Sequence, residues 1–278
     1  MKTKDILDLA EDPRFIEGIY NYCDRWCERC SFTSRCMLYA MEEEDRDDPD
    51  ANDIRNEDFW NKLASIFKQA HEMIETMAAE RGIDLDAVDV EQAREEGTRR
   101  RERTKNDPLS RSAQHYVSLV NEWFDLVYTE TEAGSDADPS LGDLPIVDLD
   151  AADRAFSIQD AIAVIRWYQF QIAVKIMRAL LRDDDFEDEN NQVGDVEAQS
   201  EDNVQSDSDG SAKVALIGIE RSIGAWARLR ELLPQKADSI LPIMLHLEQL
   251  LRATEQAFPK AQSFVRPGFD EAPDRFVS

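Results

Sequence analysis

The sequence predicts an all-α protein, on three observations. Apolar residues recur at intervals of three and four through several long segments. A strand-like alternation of apolar and polar residues persists nowhere. Proline or glycine punctuates several periodic segments, as at Asp12-Pro13, Arg81-Gly82 and Asp107-Pro108, while Pro242 falls within the first turns of the last one and could shift its start. The expected architecture is a helical bundle of about five main helices. An N-terminal four-cysteine helix–turn–helix clip precedes it, and a disordered acidic insertion interrupts it.

Residues 1–13 read as a short amphipathic lead-in closed by Asp12-Pro13. A helix is expected from Pro13 to about Cys30, because Phe15, Ile16, Ile19, Tyr20, Cys23, Trp26, Cys27 and Cys30 share one helical face. Ser31 to Ser34 break it, and Ser34 is placed to cap a second short helix to about Glu44. Residues 42–53 form an acidic linker. Phe59, Trp60, Leu63, Ile66, Phe67, Ala70, Ile74 and Met77 predict an amphipathic helix that stops at Arg81-Gly82. Residues 84–106 are charged and weakly periodic, and Arg99, Arg100, Arg101, Arg103 and Lys105 interleave with glutamates as on a solvated helix face.

A helix starting after Asp107-Pro108 carries Tyr116, Val120, Trp123 and Phe124. The loop 132–152 contains Gly134, Pro139, Gly142 and Pro145. Ser157 is expected to cap a long apolar helix to about Arg182. Residues 183–211 hold many acidic residues and no Lys or Arg, and are expected to be disordered. Two more helices follow, about 212–233 and 236–257, stopped by Pro234 and Pro259. The pair flanking the insertion should form an antiparallel hairpin, since a flexible insertion adds little loop-closure entropy. The implied organisation is a cysteine module (1–48), a first half-bundle (54–131) and a second half-bundle (153–260) interrupted by 183–211.

In 278 residues there are 59 acidic and 32 basic side chains, a net charge of −27. Such a chain is repelled by nucleic-acid backbones and by anionic membrane surfaces, so neither is an expected partner; a protein partner is possible. No apolar run suits a signal peptide or a membrane span, and the expected location is cytoplasmic.

All four cysteines, Cys23, Cys27, Cys30 and Cys36, fall within fourteen positions. In a reducing cytosol such clustering points to metal ligands or redox groups rather than structural disulfides. Thiolates suit zinc or iron–sulfur clusters. If the helix runs unbroken through Cys30, Cys23 and Cys30 stand roughly 10 Å apart along its axis. A single zinc needs its sulfurs about 3.8 Å apart. A cubane cluster, with ligand sulfurs roughly 6 Å apart, fits that spacing better. A 4Fe–4S cluster is therefore favoured over Zn2+, and zinc requires the helix to break before Cys30. Trp26 and Tyr20 are expected to shield the centre, and Arg25 and Arg29 to offset its negative charge. Reduced core thiols and labile disulfides are the competing readings.

The run Cys23-x3-Cys27-x2-Cys30 resembles the cluster motif of radical S-adenosylmethionine enzymes over eight residues. Here Trp26 precedes the second cysteine rather than the third, strand–helix alternation is missing, and Cys36 would fill the iron that family leaves open. No radical reaction is implied.

His71, His115 and His246 lack the Glu-x-x-His signature of di-iron bundles, and there is no phosphate-cradling glycine loop. His71 with Glu72, Glu75 and Glu122 is a non-standard metal set of lesser appeal. No reaction is assigned. Three functions remain: a four-cysteine metal protein, redox-active, sensing or structural; an acidic interaction protein with at most a structural zinc; and, third, an enzyme with a substrate pocket in the main bundle.

Overall fold

A computed structural model describes residues 9, 12–46, 53–87, 89–132, 149–181 and 206–270. Among them are seven α-helices and no strand. In chain order they are α1 (Met37–Arg46), α2 (Glu57–Glu80), α3 (Val90–Asn106), α4 (Pro108–Glu132), α5 (Leu149–Leu180), α6 (Asp207–Leu232) and α7 (Ala237–Ala257). The all-α expectation is borne out. The chain divides into two compact units, one of Met1–Arg99 with Arg266–Ser278, the other of Arg100–Val265.

The larger unit is a four-helix bundle. α5 and α6 pack most extensively, and α4 closes the ring by touching α5 and α7. Neighbours run antiparallel. Arg178 near the end of α5 pairs with Asp207 at the start of α6 at 2.8 Å, while Tyr168 meets Arg221 further along. The hairpin expected around the acidic segment is therefore formed. Gln169 Nε2 of α5 donates to Val117 O of α4 at 3.1 Å and to Asn121 Oδ1 at 2.7 Å. Trp123 Nε1 of α4 donates to Ser239 Oγ of α7 at 3.0 Å.

The diagonal of the bundle is filled by aromatic rings. Trp226 of α6 lies edge-on to Trp123 at 5.0 Å, and its indole N–H donates to the Tyr116 hydroxyl at 3.2 Å. Gly218 permits the close α5–α6 approach, because a Cβ there would lie 3.0 Å from the Tyr168 ring. Buried Ile165, Ile172, Ile176, Ile219, Leu247 and Leu250 complete the core.

Several boundaries differ from expectation. Ser157 lies inside α5, which begins at Leu149; the good helix formers Ala151, Ala152 and Ala155 extend it upstream. α6 begins at Asp207, so the last residues of the expected disordered segment 183–211 are helical. Ser206 caps it, its Oγ accepting from Asp209 N at 3.0 Å, and Asp207 and Asp209 favour its positive end. Residues 183–205 lie outside the described residues, as do 133–148 of the expected loop. Asp107 and Pro108 start α4 as expected, with Asp107 Oδ1 accepting from Leu109 N at 2.8 Å. α7 starts at Ala237 and runs through Pro242.

The smaller unit has little core. Among its described residues only Ile16, Ile19, Ala78 and Gly268 are buried. Its α2 is well built locally. Asn56 caps its start, and Gly82 at φ +67 closes its end, with Ile83 N bonded to Ala78 O at 2.9 Å and Gly82 N to Ala79 O at 3.2 Å. Yet its apolar side chains, expected in the main body, are largely exposed.

Candidate metal centre

The helix expected over Pro13–Cys30 does not form. Residues 13–23 run through successive turns, and between residue 12 and α1 the helical pieces are the 3-10 turns Cys27–Arg29 and Thr33–Arg35. Local chemistry overrides the apolar spacing. Gly18 takes φ +70 and accepts at its carbonyl from Asn21 N at 3.0 Å. Asp24 Oδ1 accepts from Trp26 N at 3.2 Å, a side-chain bond that competes with helix. Arg25 sits at φ 57, a left-handed conformation uncommon for a residue with a Cβ. Cys23, Cys27 and Cys30 therefore share no helical face, and the separation along a helix axis that favoured a wide cluster over a single ion disappears.

The cysteines converge by another route. Ile16 N donates to Arg35 O at 3.0 Å, which folds the first turns back against the last. Cys30 closes the first 3-10 turn through its N–H to Cys27 O at 3.1 Å. Cys36 closes the second through Thr33 O at 3.2 Å and passes directly into α1, where its carbonyl accepts from Ala40 N at 3.1 Å. All four cysteines are reduced and partly buried, and all four line one cavity of about 30 Å³.

Aromatic rings wall that cavity. Tyr20 and Trp26 line it as expected, together with Phe32 and Tyr39. Phe269 joins them from the far end of the chain and meets Phe32 edge-on at 5.1 Å. Phe269 is held by a turn in which Arg266 and Asp270 form a two-pronged ion pair, each bond 2.9 Å, with Gly268 at φ +75. The Gly268 backbone lies directly against the Ile16 and Ile19 side chains. Sequence reasoning missed Phe269. The Pro267-Gly268 pair signals a turn in the sequence but not what that turn packs against.

The expected charge partners divide. Arg25 lines the cavity, with its guanidinium bonded to Glu42 at 2.7 Å. Arg29 is not among the residues lining it; its guanidinium lies over the Trp26 ring, 4.0 Å from the centroid. Burial pushes the Cys27 thiol above its ordinary value, Arg25 opposes this, and Cys23, Glu42 and Cys30 add to it. Cys27 thus lies within electrostatic reach of two other thiols. Phe32 N–H points at Cys30 Sγ at 3.4 Å, a donor that stabilises a thiolate. The Cys23 thiol donates to Tyr20 O at 3.5 Å.

Among the described residues, no set of three or more Cys, His, Asp or Glu side chains is arranged to hold a metal ion. The four thiols share a cavity without meeting at one point. His71 pairs with Glu75 at 3.2 Å on the exposed face of α2. His115 and His246 meet edge-on at 5.0 Å in the bundle, where His246 Nε2 bonds to Ser112 O at 2.9 Å. No helix among the described residues is long and apolar enough to cross a membrane. Comparisons of the chain with protein-family models, with curated proteins and with solved structures find no match.

Proposed function

We propose that Cys23, Cys27, Cys30 and Cys36 form a four-thiolate metal centre that holds the N-terminal module together. The observation that carries this is the gathering of every cysteine of the chain, from separate turns, around one small cavity in a segment in which, among the described residues, only Ile16 and Ile19 are buried. A turn-rich segment with so little apolar burial needs another source of stability, and a structural metal supplies one. Metal binding would require the cysteine side chains to turn inward from the cavity wall, by changes between staggered rotamers.

Zinc is the better occupant. The break in the chain before Cys30 removes the geometric objection to a single ion. Either metal would offset the burial, and the neighbouring thiols, that raise the Cys27 thiol, because it binds the deprotonated form. Closed tetrahedral coordination by four cysteines is the pattern of a structural rather than a catalytic zinc, which keeps an open position. The function this supports is that of an acidic, non-enzymatic interaction protein whose stapled module presents surfaces to other proteins.

Metal analysis of protein purified without oxygen tests the proposal. One zinc per chain, a colourless solution, and loss of zinc in Cys27→Ser are expected. A brown protein containing iron and sulfide replaces zinc with a cluster. A folded protein with no metal overturns the centre.

A further inference from the structure

Helix α2 carries a second feature that the cysteine module does not use. From Trp60 onward its apolar residues alternate in steps of three and four: Trp60, Leu63, Phe67, Ala70, Ile74 and Met77. This is the spacing of a coiled-coil seam, held over three heptads. The positions bordering the seam are Phe59, Ala64, Ile66, His71, Met73, Ala78 and Glu80, so Glu80 in the last turn is the one full charge beside it. The seam is open to solvent: Trp60, Phe67 and Ile74 are 55%, 66% and 54% exposed. Trp60 is nonetheless fixed in orientation, its indole N–H donating to Ile54 O at 2.8 Å.

We infer that α2 is the interface of a homodimer, with a second copy of the same helix as its occupant. Half-exposed aromatic and large aliphatic side chains each offer roughly 100 Å². Trp60, Ile66, Phe67, Ile74 and Met77 together present on the order of 500 Å², and Leu63 and the alanines of the seam extend it. That is a contiguous patch at the upper end of what a monomer exposes, of the size that marks interaction sites, and is more than half of the ~800 Å² per partner of a standard interface. The heptad spacing selects the occupant, because it matches another helix with the same repeat. With Glu80 the one full charge along the borders, few like-charge pairs oppose self-pairing.

Salt separates this dimer from a complex with a different, basic protein. Each copy carries a net charge of −27, so added salt screens repulsion between copies and tightens the dimer. The same salt weakens attraction to a basic partner.

Sedimentation equilibrium of the full chain, at protein concentrations around 1–100 μM and at low and high salt, is the test. A dimer that tightens with salt is expected. Phe67→Glu with Ile74→Glu should raise its dissociation constant at least about 30-fold while far-UV circular dichroism is unchanged. If the charged pair costs helix, Phe67→Ala with Ile74→Ala keeps helix propensity and should weaken the dimer in the same direction. Lys62→Glu, off the seam, should leave the dimer intact. A chain that stays monomeric throughout, or a dimer indifferent to both double variants, overturns the inference.

Discussion

Gly268→Ala should weaken metal binding although residue 268 is not a ligand and lies far from the cysteines in sequence. At φ +75 any residue with a Cβ pays roughly 1 kcal/mol or more in backbone strain. The added methyl would stand 2.9 Å from Ile16 Cδ1 and 3.0 Å from Ile19 Cδ1. Both are the ends of flexible side chains and can swing aside, but Ile19 is only 2% exposed and has little room. Overpacking there adds about 1 kcal/mol. The sum, about 2–3 kcal/mol, falls on a module whose folding is coupled to metal binding, so zinc affinity should drop about 30- to 150-fold. Competition with a chelator of known affinity at fixed pH reads this directly. Gly82→Ala is the control. It also sits at positive φ, +67, but its Cβ would meet nothing within 4 Å, and it closes α2. It should cost stability locally without changing zinc affinity. Unchanged affinity in Gly268→Ala, or an equal loss in Gly82→Ala, would refute the coupling between the turn at 266–270 and the cysteine cavity.

Two further outcomes test the bundle. Leu247→Ala, at a position 0% exposed, should cost about 2–5 kcal/mol in denaturant unfolding, whereas Leu245→Ala, 54% exposed on the same helix, should stay within about 0.5 kcal/mol. Tyr116→Phe should cost about 1–3 kcal/mol near neutral pH by leaving the buried Trp226 indole N–H without its acceptor. Burial also pushes the Tyr116 phenol from its ordinary value near 10 up to about 12. The folded state therefore favours the neutral phenol, and its stabilising contribution is complete below pH 10 and is lost as pH rises towards 12. Unfolding midpoints measured across that window should fall in the wild type and flatten in Tyr116→Phe.

The helices of the bundle were legible because their apolar faces are both periodic and covered. Tyr116, Val120, Phe124 and Trp226 lie at helical spacing and are buried. The α4 start and the α2 stop were legible because Asp107-Pro108 and Arg81-Gly82 act locally. The cysteine segment was misread because Ile16, Ile19, Cys23, Cys27 and Cys30 happen to follow helical spacing. Gly18 and the turn-favouring Asp24 were the contrary signals, and they prevail because few apolar contacts reward a helix there. The burial of α2 was misjudged for a different reason: periodicity reveals that a helix has an apolar face, not what covers it. Phe269 was invisible as a cavity residue because only the fold returns it to the cysteines.

The most direct measurement is X-ray absorption at the zinc edge on the full-length protein, purified without oxygen. The account predicts a single shell of four sulfur neighbours at about 2.3 Å. Nitrogen or oxygen neighbours in place of sulfur, an iron–sulfur signature, or a folded protein carrying no metal would contradict it.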